Sequence, residues 1–499
     1  MENSSELEAL KTSLKNNDIG KISELLECQT SFITNEAGNI INLLGMELTK
    51  FNFLKKRNYF DFCELQLLNL AKNIKFQDNI FDFLELVESN NCRLLSSVSA
   101  AVAIINTMEN PEHIYIEYLL IGTFNHLNEL DVNCLQTNFL PTIQILTKLD
   151  EQIQKELSTL FYFTKLSYLV LQIDINPLEY LNIISDIIFD PFYLLEYEFE
   201  QSEDEDQEIK FIASFFYLYF KTGKLWNPKI YNRFYILQKI SYLALSVFDD
   251  DDFGKSFTKL ILMKYKDNEI PLYMLNKWHE KFFMEAAHNS LYNESLSTRR
   301  DSFEILMIFF DKLNEEAQYN VFRKTFSKLT DSGLKAELII KIKQIIFSRI
   351  KNQKNLVYFS GILLLKIVQQ CCEITDGNEC NVVENKEHVL AAITLVYVLY
   401  GYNGDGFKFD ELFTNFAKNF ASLVQSAINY TTEQYKLESM KLNSSKIIND
   451  NNSLVQIQNI DLPKLTLSEK QDMLSQYNTT LKLIQSNLDL FKSIIQNRG

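Results

Sequence analysis

Apolar residues recur at three and four along most of the chain, in segments of roughly 12 to 20 residues that end in Asn, Asp, Ser or Pro rather than Gly, and that period predicts amphipathic helices. The group after Thr298 is the clearest. Phe303, Leu306, Met307, Phe310 and Leu313 form one stripe, Phe322, Phe326 and Leu329 a second, and Leu334, Leu338, Ile342, Ile345 and Ile346 a third. Between them stand Asn314-Glu315-Glu316 and Thr330-Asp331-Ser332-Gly333, short polar connectors of the kind that make consecutive helices antiparallel neighbours. Helices with broad apolar faces and short loops bury those faces by stacking on the pairs before and after them. The expected fold is therefore all-α, a HEAT/armadillo-like helical-repeat solenoid with degenerate repeats, since no strict 34-residue consensus is present.

Breaks in the pattern divide the chain. The acidic run Glu196–Asp206 contains no basic residue, so 196–210 is expected to be an acidic loop or connector between helical-repeat halves at 1–195 and 211–441. Asp249–Asp252 is a second acidic tip. Asn and Ser then dominate, so 442–465 reads as a flexible connector. A capping helix is expected at 466–496: Thr466 and Glu469 match a capping box, and Leu474, Tyr477, Leu481, Ile484, Leu488, Phe491 and Ile495 keep heptad spacing.

Composition sharpens the helical reading. Only 13 glycines and 7 prolines occur in 499 residues, so turns that need positive φ are scarce. A hydrophobic fraction of 46% rules out a disordered chain. The net charge of −16 argues against nucleic acid and anionic membrane as direct partners. Seven scattered cysteines form no disulfide framework, which implies a reducing compartment. The polar, acidic start and the shortness of the apolar runs predict neither a secretory signal nor a membrane span, so the expected location is cytoplasmic, with the nucleus as a second compartment.

Candidate chemistry is thin. Phe253-Gly254-Lys255-Ser256 ends like a phosphate-binding loop, but aspartates precede it where glycine is needed. Gly401–Gly406 follows an apolar helix and reads as a stop turn. Cys371, Cys372, Cys380 and His388 lack zinc-ligand spacing, and His279-Glu280 opens like a zincin motif but has Phe283 where the second histidine belongs, which makes it a surface dipeptide. No catalytic residue, cofactor or metal is assigned, and the chain is not expected to be an enzyme. Charge asymmetry remains. Arg299, Arg300, Arg323, Lys324 and Lys341 belong to a block, running to Lys354, that concentrates positive charge in an acidic chain. That block is a solvated helix face or a docking surface for an acidic partner segment.

The same block carries a resemblance. Arg299-Arg300-Asp301-Ser302-Phe303-Glu304-Ile305-Leu306, Lys312-Leu313, Tyr319-Asn320-Val321-Phe322-Arg323 and Ser332-Gly333-Leu334-Lys335-Ala336-Glu337 resemble the C-terminal half of the YAP-binding/Alf4/glomulin family. The likeness continues through Asn385–Leu399, Asn419–Met440 and Leu474–Ile495, covering about residues 290 to 496. It implies a HEAT-like scaffold without enzymatic activity, whose members differ in partner. Glomulin caps the RING subunit of cullin ubiquitin ligases, fungal YAP-binding proteins assist peroxide-driven oxidation of an AP-1-like transcription factor, and a yeast paralogue works at the kinetochore. The Asn-, Lys- and Ile-rich composition resembles the fungal branch. That implies an adaptor in oxidative-stress signalling, with an AP-1-like factor and a thiol peroxidase as partners. A cullin-RING subunit and kinetochore subunits are the alternatives.

Overall fold

Helices open where short polar side chains can take the first free N–H groups. Asp131 accepts from Cys134 N–H at 3.0 Å, Ser295 from Thr298 N–H at 3.4 Å and Asn314 from Ala317 N–H at 2.8 Å. The computed structural model describes residues 2–28, 30–89, 92–149, 157–173, 175–185, 187–188, 190–196, 205–224, 232–250, 253–351, 357–402, 411–445, 456–457, 460–461 and 467–498. The chain divides into two units, Met1–Lys264 and Tyr265–Gly499. Of the stretch expected to be an acidic connector, residues 197–204 lie outside the described residues, and Glu205–Lys210 open a helix of the first unit.

The first unit starts with α1 (Glu2–Asn16), α2 (Ile19–Cys28) and α3 (Thr30–Asn35). The helices α4 (Ala37–Glu47), α5 (Lys50–Lys55), α6 (Arg57–Ala71), α7 (Ile80–Glu88), α8 (Leu94–Ile105), α9 (His113–Glu129) and α10 (Val132–Leu146) follow. It continues with α11 (Leu157–Gln172), α12 (Pro177–Ile184), α13 (Glu205–Thr222), α14 (Arg233–Ser246) and α15 (Gly254–Leu262). Packing sorts them into two layers: α4, α7, α9, α11 and α13 follow one another in one, and α6, α8, α10 and α12 in the other. Each helix thus packs on the next-but-one in sequence as well as on its hairpin mate, the arrangement of a helical-repeat solenoid. The α8 sequence shows why this closes. It touches α6, α7, α9 and α10, and Ser96, Ser97, Ala100 and Ala101 are buried beside Val98, Val102, Ile104 and Ile105, so small side chains let neighbours approach on every side. The glycine of the phosphate-loop look-alike has a packing role too. A Cβ on Gly254 would lie 1.7 Å from the Val247 carbonyl oxygen, so only glycine lets α15 start against that backbone.

The second unit contains α16 (Lys277–Tyr292), α17 (Leu296–Lys312), α18 (Glu315–Thr325), α19 (Ser332–Lys351), α20 (Gly361–Cys371), α21 (Lys386–Gly401), α22 (Glu411–Ser445) and α23 (Leu467–Arg498). The first two form an antiparallel hairpin in which Phe282 meets Phe309 edge-on, ring centroids 5.2 Å apart. Farther on, α19 packs on α21, α21 on α23, and α23 on α22. The second and third predicted stripes are buried as a whole, whereas the first is rotated: Ser302, Ile305 and Phe309 join Leu306, Phe310 and Leu313 inside, and Phe303 and Met307 are half-buried. Of the stretch expected to be a connector, α22 continues to Ser445, and Gln456–Ile457 pairs antiparallel with Ile460–Asp461. Its other residues, and Thr466 of the expected capping box, lie outside the described residues.

Candidate partner-binding surface

The basic block is spread over three helices of the second unit. Arg299 and Arg300 stand in the first turns of α17, Arg323 and Lys324 in the last turn of α18, and Lys341 midway along α19. Cations at a helix C-terminus complement its dipole, which accounts locally for Arg323 and Lys324. Lys341 Nζ bonds Asp311 at 2.7 Å, at the C-terminal end of α17. Lys324 Nζ bonds Glu280 at 2.6 Å, near the start of α16, and the contact of Phe282 with Phe309 places that start beside the same end of α17. Arg299 and Arg300 sit at the other end, roughly 20 Å away at about 1.5 Å of rise per residue. The structure therefore brings Lys324 and Lys341 together and separates them from the arginine pair.

Local carboxylates take up much of the positive charge. Besides those two pairs, buried Lys312 bonds Asp267 at 2.7 Å. Lys335 is only 9% exposed, and burial pushes its pKa down against the opposing field of Glu373. Arg300, Arg323 and Lys328 remain exposed and make no ion pair among the described residues. Arg323 lies over the Tyr319 ring, 5.7 Å from its centroid. Arg299 is half-buried, and its Nε has no hydrogen-bond partner among the described residues. Lys354 lies outside them.

The last helix is tied to this unit by apolar and polar contacts together. Leu481, Ile484, Leu488, Phe491 and Ile495 are buried, and Tyr477 donates to Asn381 Oδ1 at 2.6 Å while its ring stacks on Tyr435. Leu474 and Tyr477, at the start of the stripe, are half-buried.

The cysteines and histidines have structural environments. Cys371 and Cys372 are 0% and 3% exposed, and burial pushes both thiols well above their ordinary range, so neither is an accessible thiolate beside a loop. Burial likewise raises Cys63 and Cys92 to about 12 and Cys380 to about 11. His388 donates from Nε2 to the Cys371 carbonyl at 2.8 Å, which bridges backbone, not sulfur. His279 is a correction to its reading as a surface residue: it is 6% exposed and stacks on Phe309, and only Glu280 faces outward. Burial lowers both histidines to about 4. Among the described residues no group of three or more His, Cys, Asp or Glu could hold a metal ion, and no helix is long and apolar enough to cross a membrane. Residues 403–406 of the glycine cluster lie outside the described residues.

No family model matches the chain. It is similar to human glomulin (Homo sapiens), 21% identical over 313 residues that make up 60% of this chain and 52% of the human protein. It is similar also to mouse glomulin (Mus musculus), 24% identical over 256 residues, 48% of this chain and 42% of the mouse protein. The chain thus spans about half the length of the curated relatives it matches.

A second cationic locus escaped the reading of the sequence. Lys50-Phe51-Asn52-Phe53-Leu54-Lys55-Lys56-Arg57 sets two aromatic residues between basic ones in an acidic chain, and that composition was the available signal.

Proposed function

We propose that the chain is a non-catalytic protein-binding scaffold of the glomulin-like kind, whose second unit receives an acidic partner segment on the exposed cations of α17 and α18. The observation that carries this reading is the similarity to two glomulins on a helical-repeat stack. Arg300 and Arg323 are its main contacts, because both are exposed and neither makes an ion pair among the described residues. Arg299 adds charge beside Arg300. Lys324 and Lys341 contribute only as their pairs with Glu280 and Asp311 open. For the partner, the first reading is an AP-1-like transcription factor in oxidative-stress signalling. The second is the RING subunit of a cullin ligase, the partner that the resemblance to glomulin implies.

Affinity purification of the full chain from its source cell, scored for a bZIP factor against a cullin and RING pair, separates the two. An Arg300→Glu, Arg323→Glu double variant should keep its melting temperature and lose the partner at moderate salt. Retention of the partner by a normally folded variant assigns these arginines to a solvated face.

A further inference from the structure

The first unit carries a groove of about 450 Å³ where α5, the start of α8, the end of α9 and the start of α10 converge. One wall is apolar. Two guanidinium groups approach the Phe53 ring, Arg93 at 4.0 Å and Arg57 at 4.1 Å from its centroid, and beside it Leu54 is 65% exposed. His126 closes the floor, held by a 2.9 Å hydrogen bond between Nδ1 and the Val87 carbonyl.

The lining is cationic in an acidic chain. Lys50 and Arg93 are its charged residues, and no carboxylate lines it, although the chain holds 65 acidic residues. Neither cation makes an ion pair among the described residues, although the field of Asp131, the N-cap of α10, reaches Lys50. The carboxylates whose field reaches Arg93 are also held by others: Glu64 accepts the Ser96 hydroxyl, and Asp61 pairs with Arg57 at 2.8 Å. Arg93 is also the N-cap of α8 and offers no side-chain acceptor to it. Desolvation already disfavours the Arg93 charge, which an incoming carboxylate would relieve.

We propose that this groove docks an extended segment of a partner protein in which one carboxylate side chain stands next to a large aliphatic or aromatic one. The carboxylate bridges Lys50 and Arg93, and its apolar neighbour lies on Leu54, beside Phe53. Charge complementarity selects this occupant. A polyanion such as nucleic acid would meet two cations and then the field of a protein of net charge −16, whereas a single carboxylate uses both cations and little else. The proposal rests on the first unit alone and is independent of the partner taken by the second.

The test uses the full chain and fluorescein-labelled pentapeptides that pair Asp or Glu with an adjacent Leu or Phe, read by fluorescence anisotropy. Saturable binding that weakens with salt is expected, as is loss of binding when the acidic residue becomes Lys or the apolar one Ser. Lys50→Glu and Leu54→Asp change exposed side chains and should leave melting unaltered, while each weakens the best peptide by about tenfold or more. Cys134 provides a second readout, because its sulfur lies in the groove 3.9 Å from Lys50 Nζ. Saturating peptide should slow its alkylation by iodoacetamide, measured site by site by mass spectrometry. The proposal is overturned by absence of saturable binding, by equal affinity for the two variants, or by unprotected Cys134.

Discussion

The two candidate cationic surfaces hold their charge differently. In the second unit, three lysines of the region are quenched on the spot: Lys312, Lys324 and Lys341 each hold a carboxylate within 2.7 Å, while Arg300 and Arg323 make no ion pair among the described residues. In the first, Lys50 and Arg93 converge on one groove and make no ion pair among the described residues, with Asp131, Glu64 and Asp61 acting on them only through their field. A high density of cations in sequence therefore does not by itself make a docking surface. What counts is whether the fold supplies each with a neighbour. In the second unit, the stretch between α20 and α21 is pinned by side chains from later helices: Thr431 to the Cys380 carbonyl at 3.0 Å and Tyr477 to the Asn381 side chain, while His388 of α21 holds the Cys371 carbonyl at the end of α20. In the first, links of both kinds occur: Asn106 donates to the Lys148 carbonyl at 2.8 Å, and the Tyr180 hydroxyl donates to the Phe163 carbonyl of a neighbouring helix at 2.8 Å.

The largest test of this contrast is truncation after Leu442. It removes five buried apolar side chains of α23, at about 1.5–3 kcal/mol each, a loss comparable to the whole stability of a domain. Native-state hydrogen exchange should show loss of protection throughout α21 and α22, with the helices of the first unit protected as before. Equal protection of α21 in the truncated chain would mean that α23 is not part of the fold of its unit.

Acidification should act next. Above pH 6.5, His279 and His388 are neutral in folded and unfolded chains alike. Between 6.5 and about 4 the unfolded chain binds protons that the folded one refuses, so stability is lost as pH falls through that window. The loss is roughly 2–3 kcal/mol for each histidine. His388→Gln keeps a donor for the Cys371 carbonyl and should flatten part of the profile, measured by urea unfolding across that range. An unchanged slope would show that the buried imidazole does not drive it.

Tyr180→Phe probes the first unit alone. It deletes a fully buried hydroxyl that donates to Phe163 and lies 3.1 Å from Ser167, and should cost about 1–2 kcal/mol. Protection in α11 and α12 should fall without change in α21. Smallest is Lys324→Ala, which breaks an exposed pair with Glu280 and should cost roughly 0.2–1 kcal/mol in chemical denaturation. A larger loss would mean that the quenched cations hold the second unit together.

Periodicity carried the helical part of the reading because a stripe at three and four is a local property. Leu334, Leu338, Ile342, Ile345 and Ile346 are buried together for that reason, as are Leu481 to Ile495. The sequence alone thus determined the helical class and most of the faces that pack inward. Local signals could not settle which side chains meet across helices. His279 lies on a helix start rich in polar residues and is covered only because α17 brings Phe309 against it. Gly254 belongs to a motif-like string, yet its reason for being glycine is the Val247 carbonyl above it. Lys324 and Arg323 are adjacent in sequence, and only packing gives one a carboxylate and the other an aromatic ring. The groove of the first unit is assembled from four separate segments, so no window of sequence contains it. Tertiary structure decided these points because burial and ion pairing depend on which surfaces the stacking of helices brings within a few ångströms, and that distance is not a property of any one segment.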